Sequence, residues 1–190
     1  MFDIDKECIE EKRENATTKE EMYMLLALSA ASNSKDPSTQ VGACYVSADG
    51  KVISVGCNSV PPLWDEDNFP WGTKEEYGIK NNKYTYIIHA EMAGATNCKC
   101  SLKDFENGTL YVTLFPCTNC AKLIASLGIK RIVYLNARIN KDFECANILL
   151  NKSNIECIDF KSEYNSVKEC ELDMDADEKN NIKIIKYSKH

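Results

Sequence analysis

The chain has 190 residues, 44% of them hydrophobic and 27% charged, which suffices for one ordinary domain with a single core and divides poorly into two. A formal net charge of −6 argues against the clustered Lys and Arg that supply tight, sequence-indifferent binding to a phosphate backbone, so long nucleic acid is not an expected partner. A small nucleotide stays within reach, because one or two local cations hold a single phosphate whatever the overall charge.

The opening MFDIDKECIEEKREN carries no apolar run of signal-peptide length, and the stretch around Met22 to Ala31 is far short of a membrane span. A soluble, cytoplasmic protein with no membrane partner is expected, its ten cysteines mostly reduced thiols. Lys19 to Ser32, with Met22, Leu25, Leu26 and Ser29 at helical spacing, predicts a first helix, broken by Ser34-Lys35-Asp36-Pro37. Val41 to Val46 and Val52 to Asn58 flank Asp49-Gly50 and predict a hairpin. From Pro61 to about Tyr86 no period is clear, and the prolines and both tryptophans predict a long ordered loop with one short helix. Then follow a helix from about His89 to Cys98, a strand at Leu110 to Leu114, a helix from Cys117 to Leu127 and a strand at Arg131 to Leu135. A helix near Glu144 to Leu150 and a strand at Ile155 to Ile158 complete an α/β domain over 1–160, a sheet of about five strands with helices on its faces. Residues 161–190 form an acidic extension, read either as a solvated tail or, through Ile182 to Ile185, as an added edge strand.

His89-Ala90-Glu91 and Pro116-Cys117-Thr118-Asn119-Cys120 are the informative motifs. Each is predicted to open a helix, where exposed amides and the positive dipole end stabilise thiolates. Cys117 and Cys120, three apart on one helical face, reach one ion together. One imidazole and two thiolates fill three of the four positions of a tetrahedral zinc and leave the fourth to water, the arrangement of a catalytic site. Zinc lowers the pKa of bound water from 15.7 to roughly 7. Glu91 is the candidate catalytic acid/base, placed to carry the water proton to a ring nitrogen and then to a departing amino group, assistance worth about 10²–10⁴-fold. Taken alone, His89 is more often an ordinary helix residue, and a Cys-x-x-Cys more often redox-active, structural or incidental. Jointly, His-x-Glu followed by Pro-Cys-x-x-Cys is the signature of zinc-dependent nucleobase deaminases. The other histidine is the terminal His190, so no second cluster competes.

Beyond those motifs the chain resembles the deoxycytidylate deaminases from about Leu25 to Phe160. The resemblance runs through Ser34-Lys35-Asp36-Pro37-Ser38-Thr39-Gln40-Val41-Gly42-Ala43, Phe69-Pro70-Trp71, Tyr86-Ile87-Ile88-His89-Ala90-Glu91 and Leu114 to Ile124. It implies a three-layer αβα fold with a mixed sheet, hydrolysis of dCMP to dUMP with release of ammonia, Zn2+ as cofactor, and a homo-oligomer, usually a hexamer that responds to dCTP and dTTP. It further implies that Asn58 contacts the substrate and that Lys35 lies near its phosphate. Ala90 and Phe115, beside the zinc motifs, join the expected substrate-binding set. Relatives commonly carry Arg at the position of Asn33, Gly at Ser59, Asn at Gly94 and Tyr at Ile139, positions expected to bear on substrate or effector recognition. Losing Arg removes a bidentate phosphate donor, and losing Asn removes a hydrogen-bonding amide. Against dCMP stands a nucleoside or other aminated heterocycle as the alternative substrate. Against the enzyme stands a catalytically silent relative that binds a nucleotide, a reading that the carboxylate of Glu91 disfavours.

Cys98 and Cys100 with Cys57 are candidates for a second, structural zinc with no identified fourth ligand. Cys44, Cys145 and Cys157 are expected as small core residues, and Cys8 and Cys170 as peripheral. Trp71 is expected to pin the long loop, while Trp64 either pins it or stacks on a base. Lys122, Lys130 and Arg131 read as solvated cations.

Overall fold

The structure is a computed structural model that describes residues 16–164. Cys8, Cys170 and nearly all of the acidic extension, including the segment at 182–185, lie outside the described residues. Helix α1 (Lys19–Ala31) starts in a reciprocal cap: the Glu21 amide donates to Thr18 Oγ1 at 3.2 Å while the Thr18 amide donates to the Glu21 carboxylate at 2.7 Å. Strands β1 (Gly42–Val46) and β2 (Val52–Cys57) form the expected antiparallel hairpin, turned by Gly50 at φ +81°. After α2 (Ala90–Thr96) come β3 (Thr109–Leu114), α3 (Thr118–Ser126), β4 (Arg131–Asn136), α4 (Lys141–Lys152), β5 (Glu156–Asp159) and the single turn α5 (Phe160–Glu163).

The sheet order is β2-β1-β3-β4-β5, with β1 antiparallel to both neighbours and β3, β4 and β5 parallel. This is the mixed five-stranded sheet expected from the sequence, with α3 and α4 as the crossovers that parallel pairing requires. Side chains alternate cleanly between its faces. Ala43, Tyr45, Leu110, Val112 and Ile132 pack on one side with residues of α2, α3 and α4, whereas Cys44, Val46, Tyr111 and Val133 pack on the other with Tyr23, Met24 and Ala27 of α1 and with Phe160. On the first side, α2 meets β2 through two glycines: a Cβ on Gly56 would stand 2.7 Å from Gly94 Cα, and one on Gly94 would stand 2.9 Å from the Tyr45 ring. Only bare backbone lets α2 lie this close to the sheet.

Between β2 and α2 the chain makes four separate short 3-10 turns, at 66–68, 75–77, 79–81 and 83–85, where one short helix was expected. The loop is pinned by aromatic contacts. Buried Phe69 touches both Trp64 (5.5 Å between centroids) and Trp71 (4.6 Å), and Trp64 also leans on Tyr86 (4.9 Å). Both tryptophans therefore hold the loop together, Trp64 with 38% of its surface still exposed. Helix α4 begins three residues before the predicted Glu144, because Asn140 Oδ1 accepts the Phe143 amide at 2.9 Å. Cys44 is fully buried and Cys157 partly so, but Cys145 lies on the exposed side of α4 and is not a core residue. Among the described residues no helix is long and apolar enough to cross a membrane.

Candidate active site

The two motifs converge because each places its first ligand just ahead of a helix. His89 is the N-cap of α2 (φ −70°, ψ 153°) and Cys117 the N-cap of α3 (φ −71°, ψ 168°), so both side chains project past the helix ends. Cys120, one turn into α3, points the same way. His89 Nδ1 lies 3.4 Å from Cys117 Sγ and 3.4 Å from Cys120 Sγ, and the three donor atoms all lie within 4.8 Å of one another. Tetrahedral zinc with bonds of about 2.3 Å to sulfur and about 2.0–2.1 Å to nitrogen separates N from S by about 3.5 Å. The donor set fits that ion in both type and spacing. The start of α3 is held from α4, where the Asp142 carboxylate accepts from Thr118 Oγ1 at 2.6 Å and from the Thr118 amide at 3.3 Å.

Protons are contested among the donors. The hydrogen bond from Cys120 holds the Cys117 thiol down to about 4, against the cost of its burial, with further help from His89. The same bond, with burial, pushes Cys120 up, and Cys117 raises the imidazole pKa of His89. A cation entering such a set displaces the protons it shares. Glu91 lies beneath, 4% exposed, its pKa raised first of all by burial. Tyr45 donates to the Glu91 carbonyl at 2.9 Å and fixes the first turn of α2. A carboxyl raised by desolvation is suited to move a proton rather than only to carry charge.

His89, Glu91 and Cys117 line one cavity of about 280 Å³. Ala90 lies in its wall, as does Phe115, which packs edge-on against Tyr134 at 5.0 Å and leans on Phe143 at 4.6 Å. Asn58 is also in the wall, but its amide is already committed: Oδ1 accepts the Val41 amide at 2.8 Å, and Nδ2 donates to Asp36 Oδ2 at 3.1 Å and to Thr39 O at 3.0 Å. Both amide hydrogens are used, so what Asn58 still offers the cavity is the second lone pair of Oδ1, held in place by the Val41 amide.

Lys35, expected near a substrate phosphate, does not line this cavity. It is outside the cavity, beside a second hollow of about 240 Å³, where its exposed ammonium pairs with Glu66. The cations lining the cavity itself are Lys83 and Arg138. Lys83 is 1% exposed and donates to both oxygens of buried Asp36, at 2.6 and 2.7 Å. Asp36 also accepts the Ser38 amide at 2.8 Å and the Thr39 amide at 3.2 Å, so its neighbour Lys35 is turned outward. The four positions at which relatives differ are absent from the cavity lining. Asn33 and Ser59 border the second hollow, Gly94 abuts Gly56, and Ile139 is 75% exposed. Cys98 and Cys100 bring their sulfurs side by side, and among the described residues His89, Cys117 and Cys120 are the one converging group of three metal-ligating side chains.

The family model described as the cytidine and deoxycytidylate deaminase zinc-binding region matches residues 17–136. The deoxycytidylate deaminase of Homo sapiens is 34% identical over 146 residues, covering 76% of this chain and 80% of that one. That of Mus musculus is 33% identical over 158 residues, covering 82% and 87%. Among solved structures, the dCMP deaminase of cyanophage S-TIM5 in complex with dCMP and dUMP superposes with a TM-score of 0.54 at 24% identity, over 73% of this chain and 94% of that one, which shows the shared fold.

Proposed function

The chain belongs to the cytidine and deoxycytidylate deaminase zinc-binding family, and on that premise we propose that it hydrolyses deoxycytidylate to deoxyuridylate and ammonia. The observation that carries this reading is the convergence of His89, Cys117 and Cys120 on one point of a cavity whose wall also holds buried Glu91. His89, Cys117 and Cys120 would hold the zinc, which when bound would acidify water to a pKa of roughly 7 and so supply the nucleophile at neutral pH. The remaining work falls to the protein. Ala90 and Phe115 give the pyrimidine ring apolar walls that orient it and exclude bulk water. Glu91 takes a proton from the attacking water and delivers it to N3 of the ring as the C4–O bond forms. It then takes the remaining proton of the hydroxyl added at C4 and passes it to the exocyclic nitrogen, the C4–N bond breaks as the C4 carbonyl forms, and ammonia leaves. One water is consumed and the carboxylate is regenerated.

The enzyme works, in the same proposal, as a cytoplasmic homo-oligomer. In support, β2 closes one end of the sheet with exposed Val52 and Val55, apolar side chains that a partner chain would cover. The deciding experiment is ammonia release by zinc-loaded protein over dCMP, CMP, deoxycytidine, cytidine, cytosine and adenosine, with Glu91→Ala as control. Preference for dCMP, with turnover in Glu91→Ala lowered about 10²–10⁴-fold at unchanged zinc content, is expected. Turnover that survives in Glu91→Ala removes the carboxylate from the mechanism, and silence of the native protein on every compound removes the proposed reaction.

A further inference from the structure

Three cations stand at or near the cavity, and their surroundings differ. Lys35 faces the second hollow and is paired with Glu66. Lys83 borders the catalytic cavity, but both oxygens of Asp36 neutralise it in a pair only 2–3% exposed. Arg138, between β4 and α4, lines the same cavity, is exposed, and has no carboxylate partner among the described residues. Its Nη2 donates to Thr39 Oγ1 at 2.6 Å. That hydroxyl sits on a fixed base: the Thr39 amide is bound by Asp36, and Asp36 is locked by Lys83 and Asn58. The guanidinium is therefore steered over the cavity by a neutral group that leaves its charge uncompensated.

We propose that Arg138 reads the 5′-phosphate of the nucleotide whose base reacts beside Glu91, an assignment that rests on the deoxycytidylate reading of the same cavity. A planar guanidinium held at one nitrogen still presents its other N–H groups as a fork, which suits the oxygens of a phosphate monoester. The Thr39 hydroxyl, accepting from Arg138, keeps its own hydrogen to donate to the same anion. Asp142, the carboxylate nearest the start of α3 in the cavity wall, is engaged by the amide and hydroxyl of Thr118. Asn33 borders the other hollow, so the lack of an arginine there leaves the cavity's cation in place.

The test compares kcat/KM for dCMP and deoxycytidine in the native enzyme and in Arg138→Gln, Arg138→Lys and Lys35→Gln. Arg138→Gln is expected to lower kcat/KM for dCMP by about 10–10²-fold, mainly through KM, the loss of a charge-assisted hydrogen-bonded pair. Deoxycytidine turnover stays unchanged, Arg138→Lys recovers part of the loss, and Lys35→Gln behaves as native. Parallel loss on both substrates, or a dCMP preference that survives Arg138→Gln, overturns the role of Arg138 and leaves the deaminase standing. A native enzyme that accepts deoxycytidine and refuses dCMP, or that acts on neither, overturns the substrate reading and this assignment with it.

Discussion

The two faces of the sheet are built from the same strands yet do different work. On one, α1 lies lengthwise and buries Tyr23, Met24 and Ala27 from its flank against Cys44, Tyr111 and Val133, and the contact is packing apart from the Tyr23 hydroxyl, which donates to the Gly50 carbonyl at 2.6 Å. On the other, α2 and α3 present their first turns as well as their flanks, and residues of the site (Ala90, Phe115, Cys120) belong to the hydrophobic core itself. A helix flank offers only side chains, whereas a helix start also offers unpaired amides and a field that favours anions. Chemistry therefore collects on the face where helices begin at the sheet's edge, and the opposite face supplies rigidity.

If that division is right, the largest effect on stability should come from the ion pair beneath the cavity. Lys83→Met leaves the Asp36 carboxylate buried without its counter-charge and should cost about 3–5 kcal/mol in denaturant unfolding, with Asp36→Asn added to it recovering part of the loss. A neutral Lys83→Met would mean that the cavity wall stands without the pair. A smaller effect is expected on the packing face and only in alkali. Burial pushes the Cys44 thiol up to about 12, above its ordinary 9.0, so between those values the folded protein holds a proton that the unfolded chain has released. Stability should then fall as pH rises from about 9 towards 12, by at most ~1.4 kcal/mol per pH unit from this group. Cys44→Ala should flatten that slope in thermal melts while ammonia release at neutral pH persists; if activity goes with it, the faces are not separable. The smallest effect is expected for Lys35→Gln, whose exposed pair with Glu66 is screened by solvent, so the denaturant midpoint should not move measurably.

The zinc ligands were legible in the sequence because the chemistry fixes both residue types and spacing, and because a histidine and a cysteine that cap helices stand at visible pattern boundaries. The hairpin and the parallel strands were legible from alternation and from Asp49-Gly50. Lys83 and Arg138 were not, since their partners Asp36 and Thr39 lie 47 and 99 residues away and no local period marks a cation that the fold will turn inward. Lys35 faces the second hollow for a related reason. It adjoins Asp36, but a carboxylate gathered into the turn by the Ser38 and Thr39 amides directs its neighbour to solvent. Asn58 stands in the expected wall, but a sequence shows an amide and not that both of its hydrogens are committed to Asp36 and Thr39. Cys145 failed as a core residue by rotation alone, standing beside buried Ala146 on the opposite side of α4.

His89 and Cys117 stand 28 residues apart, at the starts of two different helices. An ion shared between them ties a ring in the chain that encloses α2, the whole of β3 and the connection between them, so it acts as a clasp as well as a reagent. By the loop-entropy reckoning used for a disulfide, such a tie removes roughly 3–4 kcal/mol of freedom from the unfolded chain. Stripping the metal should therefore lower the melting temperature together with the activity, so that the same loss is read as loosened chain and as lost turnover.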